Sequence, residues 1–550
     1  MIAAVAMCGI FASCSDKAET IEDKLKTYVS DDTNLIVTLD LKRALDAVEI
    51  EANEKEGTLE LPGYLNDFIK DAFSKDDKKA LDDMLEFKGF DWTNTVFGIK
   101  FDTKDGIEPK SALIIFSVKD DDEFAEALED IDGAKLSKDE DKTEGFTVVS
   151  NKHFAVMIDG HLGFIAIDKK GPCKATKAAT VINEWKDAAD EKALADWKVE
   201  KLKTEKIANV FLSLDIYKTL FEQMGNQEKQ AMKAFGVESL YDAYAMFSFD
   251  LNAETVSFDC QLFGKDGKDF ENKNFAGSKI DTSLLAYANS QDLIAGAMGI
   301  GDVSKVVKGL TEAGAINKSE ADQASAVLKL LNNSTLFVAA GPVEGINSFT
   351  RPSLGNWHFV AALKTQSAAN SQELVNMAAS LLGGELNKDE SGNMSISVPT
   401  DYTYDYDPYT YDYVRKPIAF KTLFIKQDGN TIVVSNSAIS KKGGCPVSEK
   451  IFDGKYMAFG LVAPKTNPLL SSINMPFGFN AQLSGTTSAA SFSASLTGVS
   501  GKFIPTLFKF FYENMGNISS MGSTSAYDND YAYADSVAVE EVAAVEEYDY

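Results

Sequence analysis

Histidine is almost missing from this 550-residue chain, with three copies, and cysteine is scarce, with five. The cysteines form no CxxC pair and no Cys/His cluster at zinc spacing, so neither a dithiol redox centre nor a structural zinc site is expected. No GxSxG elbow, HExxH helix, Walker loop or post-strand GxGxxG occurs, which removes the common signatures of hydrolases, zinc peptidases and nucleotide binders. Positive charge is short as well: Lys and Arg number 54 against 83 Asp and Glu, a formal net charge of −29. A surface of that sign repels phosphate, which excludes nucleic acid and anionic headgroups as partners. Past the first residues no apolar run reaches about 18 residues, so no transmembrane helix is expected.

What is present begins with MIAAVAMCGIFASC, an apolar run that ends in Ala12 and Ser13 just before Cys14. Phe11-Ala12-Ser13-Cys14 resembles the lipobox of bacterial lipoproteins, in which the cysteine thiol is acylated and becomes the new N-terminus. Residues 1–13 are thus expected to be a lipoprotein signal peptide and Cys14 the lipidation site, with the membrane as partner through that lipid. Two or three acyl chains at about 0.8 kcal/mol per buried methylene make a lasting anchor. No Lys or Arg precedes Cys14, so the basic part of such a signal is expected upstream of residue 1. Residues 14–30 are polar and charged and are expected to be a tether. Ser15-Asp16-Lys17-Ala18-Glu19 partly resembles the acidic signal that sends lipoproteins of Bacteroidetes to the cell surface. Surface exposure on the outer membrane is therefore expected, with the periplasmic face as second choice.

The body repeats itself. VTLDLKRAL (37–45) and LSLDIYKTL (212–220) each run from an alternating strand through Asp into a helical pattern, and weaker versions start at Leu293 and Met457. FAVMIDGHLGFIAI reads as a hairpin turning at Asp159-Gly160, with His161 paired to Ile158; a second hairpin turns at Asp428-Gly429. KKGPC (169–173) follows the first and KKGGC (441–445) the second, and each half closes with a β-ribbon. The expected fold is α+β, a tandem-duplicated unit of mainly antiparallel sheet with helices packed on one face, the halves being 31–275 and 276–515. Whether they share one sheet is left open by the sequence. Residues 516–550 contain no Lys or Arg and are expected to be a disordered acidic tail.

TNLIVTLDLKRAL, GFDWTNTVFGIKF (89–101) and YANSQDLIAGAMGI (287–300), behind an envelope leader, resemble a family of uncharacterised lipoproteins of Bacteroidetes that is known only as a domain of unknown function. The resemblance implies a lineage and a location. It brings no catalytic residues and no cofactor.

Chemistry has few candidates. Asp40 and Asp215 stand at equivalent strand-to-helix junctions, where a helix cap explains them better than a metal or an acid/base role. His161 is matched by Asn430 in the second half, so a duplicated ligand is not indicated, and neither a metal nor a catalytic residue is assigned. Cys173 and Cys445 occupy matching positions and could form a disulfide. The segment DYTYDYDPYTYDY (401–413) has no counterpart in the first half and is expected to be a surface insertion, either a solvated loop or an extended edge ribbon. Its Tyr402, Tyr404, Tyr406, Tyr409, Tyr411 and Tyr413 are candidate contacts for an extracellular glycan, peptide or envelope protein. The function expected from all this is a non-catalytic binding or structural module of the cell envelope; the alternative is an envelope hydrolase for glycan or peptide with a carboxylate site not yet located.

Overall fold

The computed structural model describes residues 20–523, apart from 54–57, 73–87, 132–134, 271–276, 344–355, 383–385, 390–392, 408–411, 468–469, 471–474 and the single positions 105, 235, 313, 442 and 500. Cys14, Tyr409, Tyr411, the signal peptide and the tail beyond 523 lie outside the described residues.

Besides a separate two-stranded ribbon, Glu51–Asn53 with Thr58–Glu60, the first part of the chain supplies to the main sheet β1 (Leu35–Asp40), β2 (Phe90–Asp102), β3 (Glu108–Val118), β4 (Ser137–Lys138), β5 (Thr147–Ser150), β6 (Ala155–Asp159), β7 (Leu162–Asp168), β8 (Ala208–Ser213), β9 (Ala243–Leu251) and β10 (Thr255–Gly264). Ten follow: β11 (Ile294–Ile300), β12 (Ser334–Pro342), β13 (Trp357–Lys364), β14 (Leu386–Lys388), β15 (Met394–Asp407), β16 (Asp412–Asp428), β17 (Thr431–Ser435), β18 (Met457–Ala463), β19 (Gly478–Gly485) and β20 (Ala489–Thr497). With the short strand Gly171–Pro172 beside β7, they form one sheet of 21 strands among the described residues. Every pairing in it is antiparallel.

From one outer end the order is β4-β5-β6-β7-β3-β2-β1-β8-β9-β10. From the other end it is β14-β15-β16-β17-β13-β12-β11-β18-β19-β20. The two series meet where β10 pairs β20, with Phe258 opposite Phe492. Both halves therefore belong to one continuous sheet, the question the sequence left open.

Helices cover both faces, which corrects the expectation of a single covered face. On one face, α1 (Ile21–Tyr28) and α2 (Ala175–Glu191) bury Leu25, Ile182 and Trp185 against Leu113, Ile115 and Phe164. The apolar spacing Ala178, Val181, Ile182, Trp185, Ala189 is the stripe that makes the second of these a packing helix. On the other face, Leu41, Phe124 and Leu128 pack on Ile114 and Phe116. Neighbouring residues of β3 thus serve opposite cores, as the alternation of a strand requires.

Residues 20–30, expected in the tether, are folded, and 14–19 lie outside the described residues. Thr20 and Asp23 form a capping box that starts the first helix, and Leu25, Tyr28 and Val29 are buried. Lys24 is buried with them, its ammonium donating to the Asn94 carbonyl at 2.5 Å and to Ser117 Oγ at 2.6 Å. Its charge hid the helix in the sequence.

The hairpin turn is shifted by one residue from the expected place. Asp159 pairs Leu162 and Ile158 pairs Gly163, so Gly160 and His161 are the turn residues, with Gly160 alone at positive φ (56°). The second hairpin does the same at Gly429 and Asn430. At Met457 the expected strand is present, but residues 464–467 after it form a turn in place of the start of the expected helix, and 468–469 lie outside the described residues. The chain falls into two compact units, Met1–Pro505 and Thr506–Tyr550. Residues 516–523, expected in the tail, belong to the helix Phe503–Ser523.

Candidate functional site

Of the two forms expected for the Tyr/Asp segment, its described residues, 401–407 and 412–413, take the β-ribbon. β15 and β16 pair from Met394–Ile425 to Asp407–Asp412, with a bulge around Asp401. Tyr and Thr favour extended backbone, and Pro399 and Pro417 are tolerated because strand edges need no further donors there. β14 holds only Met394–Ile396, and β17 only Phe424–Asp428. Beyond these, the two strands have no further strand neighbour among the described residues. Tyr404 is 63% exposed and Tyr402, two positions away on the same side, is half-buried. Backbone register sets Tyr406 opposite Tyr413. On the other side lie Val414, exposed, and Lys416, which meets Asp405 at 2.7 Å; past the bulge Ile418 and Phe420 are exposed as well. The arrangement offers phenol rings, apolar side chains and two open backbone edges on one arm.

The proposed disulfide is not formed. Cys173 and Cys445 are both free thiols, the first buried in the core under Ile182 and Trp185, the second packed against a separate core around Phe337 and Phe452. Matching positions in two halves of one sheet are not neighbours in space. Burial pushes both thiols up from 9.0.

Asp40 caps its helix, Leu41–Ala47, through the Arg43 amide at 2.9 Å. Asp215 does not do the same: it lies inside a 3₁₀ turn, Leu214–Tyr217, and accepts from Ser213 Oγ at 2.6 Å. A tighter turn moves the carboxylate past the cap position.

One cluster escaped the sequence reading. Asp292, fully buried, holds His358 with Oδ1 to Nδ1 at 2.5 Å, and its Oδ2 accepts from the Asn289 amide at 2.8 Å. Gly341, opposite His358, makes this possible: a Cβ there would lie 1.8 Å from the Gln291 carbonyl, so only glycine lets the 289–292 turn reach the sheet. Beside the ring is a cavity of about 20 Å³ lined by Tyr287, Asn289, Ser435, Ser437 and Ser440, room for about one water. Tyr287 donates to Asp428 Oδ2 at 2.8 Å, and Lys441 pairs with the same carboxylate at 2.8 Å. Burial, then the Asp428 carboxylate, push the Tyr287 phenol up. A buried carboxylate that orients an imidazole is half of a hydrolytic relay. Among the described residues no hydroxyl or thiol hydrogen-bonds this ring, and no group of three His, Cys, Asp or Glu could hold a metal ion. Asp292 and His358 are 66 residues apart, and no local motif links them.

His153 and His161 are not part of it. His153 lies exposed in a loop, and His161 Nδ1 sits 3.3 Å from the Val118 carbonyl. No helix is long and apolar enough to cross a membrane among the described residues. Comparison with protein-family models, curated proteins and solved structures finds no match to this chain.

Proposed function

We propose that the protein is a lipoprotein of the cell envelope, anchored by lipid on Cys14 at the outer membrane and facing the surface, which acts as a non-catalytic binding module. Its contact element is the β15–β16 ribbon, and its ligand an extracellular glycan, a peptide or another envelope protein. The observation that carries this reading is the ribbon itself: two strands run on past their sheet neighbours with Tyr402 and Tyr404 on one side and Tyr404 largely exposed. Aromatic rings on a rigid arm bind at low entropic cost, because few torsions are lost. We further read the body as one ancestral unit duplicated in tandem, of the lipoprotein lineage that the sequence resembles. In support, adding ten to each strand number of the first half reproduces the pairing order of the second.

The test is a pair of variants on glycan and peptide arrays and in pull-downs of envelope protein. Tyr402→Ser/Tyr404→Ser and deletion of 401–413 should both abolish a signal given by the full chain, while thermal melting stays unchanged. Binding that survives both would end the reading.

The alternative, a hydrolase, is favoured by one observation, the Asp292–His358 pair beside its cavity. Turnover of envelope glycan or peptide lost in His358→Gln, with the ribbon deletion still active, would establish it instead.

A further inference from the structure

The middle of the sheet carries an apolar face that the body leaves half open. Phe258 opposes Phe492, Phe492 opposes Leu483, Leu483 opposes Phe459, Phe459 opposes Gly296 and Gly296 opposes Val338. Directly opposed residues lie on one side of a sheet, so these six form a single row across six strands. Phe258 is 44% and Phe459 41% exposed, and Met298, Leu336, Val338, Met457 and Phe492 of the same face are exposed with them. β10, β11, β18, β19 and β20 put no charged, amide or hydroxyl side chain on this side. Their other side at the seam is polar: Asp259 bonds Ser491, and Gln482 bonds Ser493 at 2.9 Å.

The row does not stop at Val338. It continues through Ala361 and Val434 to Ile425. There the helix Ala368–Leu382 lies over the face, and the two enclose a partly open cavity of about 110 Å³. Leu374, Val375, Ala379, Met394, Ile425 and Val434 are among its walls, and all of its lining is apolar. Gly296, lacking a side chain, lets its neighbours close in over it: a Cβ there would lie 3.3 Å from the Phe459 ring and 3.6 Å from Val338.

We propose that this face binds the acyl chain of a diffusible lipid, laid across the strands with its methyl end in the cavity under the helix. An exposed apolar area of this extent marks a binding surface. A protein partner would bring backbone and rim groups that need hydrogen-bond mates, and the five strands named offer none from their side chains. A hydrocarbon chain needs none. The cavity at the end of the row is apolar and of the size that takes up small hydrocarbons. The acidic surface disfavours headgroups of more than one negative charge, which leaves lipids with at most a single charge, such as a fatty acid.

The test uses the full chain, stripped of bound lipid, with dansyl-undecanoic acid as probe and fatty acids of increasing length as competitors. Saturable probe binding is expected, displaced by fatty acids about fourfold better per added methylene until the cavity is full. Phe459→Glu should weaken the probe at least tenfold, and Ala379→Phe, which fills the cavity, should lower the chain length at which affinity stops rising by several methylenes. Ser491→Lys, on the polar side of the seam, should change nothing. Circular-dichroism melts identify any variant that fails to fold, and the chain-length shift in Ala379→Phe cannot arise from misfolding. No probe binding to the stripped chain, or binding indifferent to Phe459→Glu, overturns the proposal. So does a face that serves only association of two copies, or only sedimentation with phosphatidylcholine vesicles, when Phe459→Glu abolishes that and no monomeric fatty acid binds.

Discussion

Asp40 and Asp215 look alike in the sequence, each ending a strand before a helical pattern, yet only Asp40 accepts a helix amide. Losing a cap costs about 1 kcal/mol, so Asp40→Ala should lower unfolding free energy by that amount, and Asp215→Ala by clearly less. Urea denaturation of the two variants checks the difference. Asp428 shows a second residue-scale effect. The Lys441 ammonium and then the Tyr287 hydroxyl hold its carboxyl below the usual 3.8. The unfolded chain therefore binds this proton more tightly, so the contact contributes stability above about pH 4 and loses it as pH falls through the lower folded value. Asp428→Asn should be less stable than wild type near pH 6, and the gap should close towards about pH 2. A gap that is constant with pH would show that the carboxylate charge plays no part.

At the scale of elements, legibility followed the range of the interaction that decides each one. The hairpin at Gly160 and the cap at Asp40 are settled by neighbours in sequence, and both could be read within one residue of where they lie. The helix Ile21–Tyr28 reads as tether because Glu22, Asp23, Lys24 and Lys26 outweigh its apolar residues, although Thr20-x-x-Asp23 is a capping signal. Its burial depends on Ser117 and Asn94 accepting from Lys24, partners some 70 to 93 residues away. If the helix belongs to the core, Leu25→Ala should cost about 2–5 kcal/mol in chemical denaturation. A true tether would lose nothing. The ribbon shows the converse: its composition was legible as unusual, but that Tyr and Asp would pair strand to strand depended on Met394–Ile396 and Phe424–Asp428 being held by the sheet. The Asp292–His358 pair had no local signal at all, since it needs Gly341 to admit a distant turn.

The whole molecule depends on the seam between β10 and β20, where strands from the two halves pair in antiparallel register. Neither strand announces this partner; each already has a hairpin mate, and the free edge of a strand can accept any other edge. What selects the pairing is chemistry on both sides at once, Phe258 against Phe492 on one and Asp259 with Ser491 on the other. A slip of one residue would turn Phe258 to the polar side, so the register is strongly specified. Cys260, directly opposite Ala490, gives a way to see it. Opposed Cα atoms in an antiparallel pair lie about 5.5 Å apart at most, within disulfide range. Oxidised Ala490→Cys should therefore yield a tryptic peptide pair linked through Cys260, while Ser491→Cys, whose side chain lies on the opposite face, should not. Equal linkage from both positions, or from neither, would mean that the halves do not meet along this line.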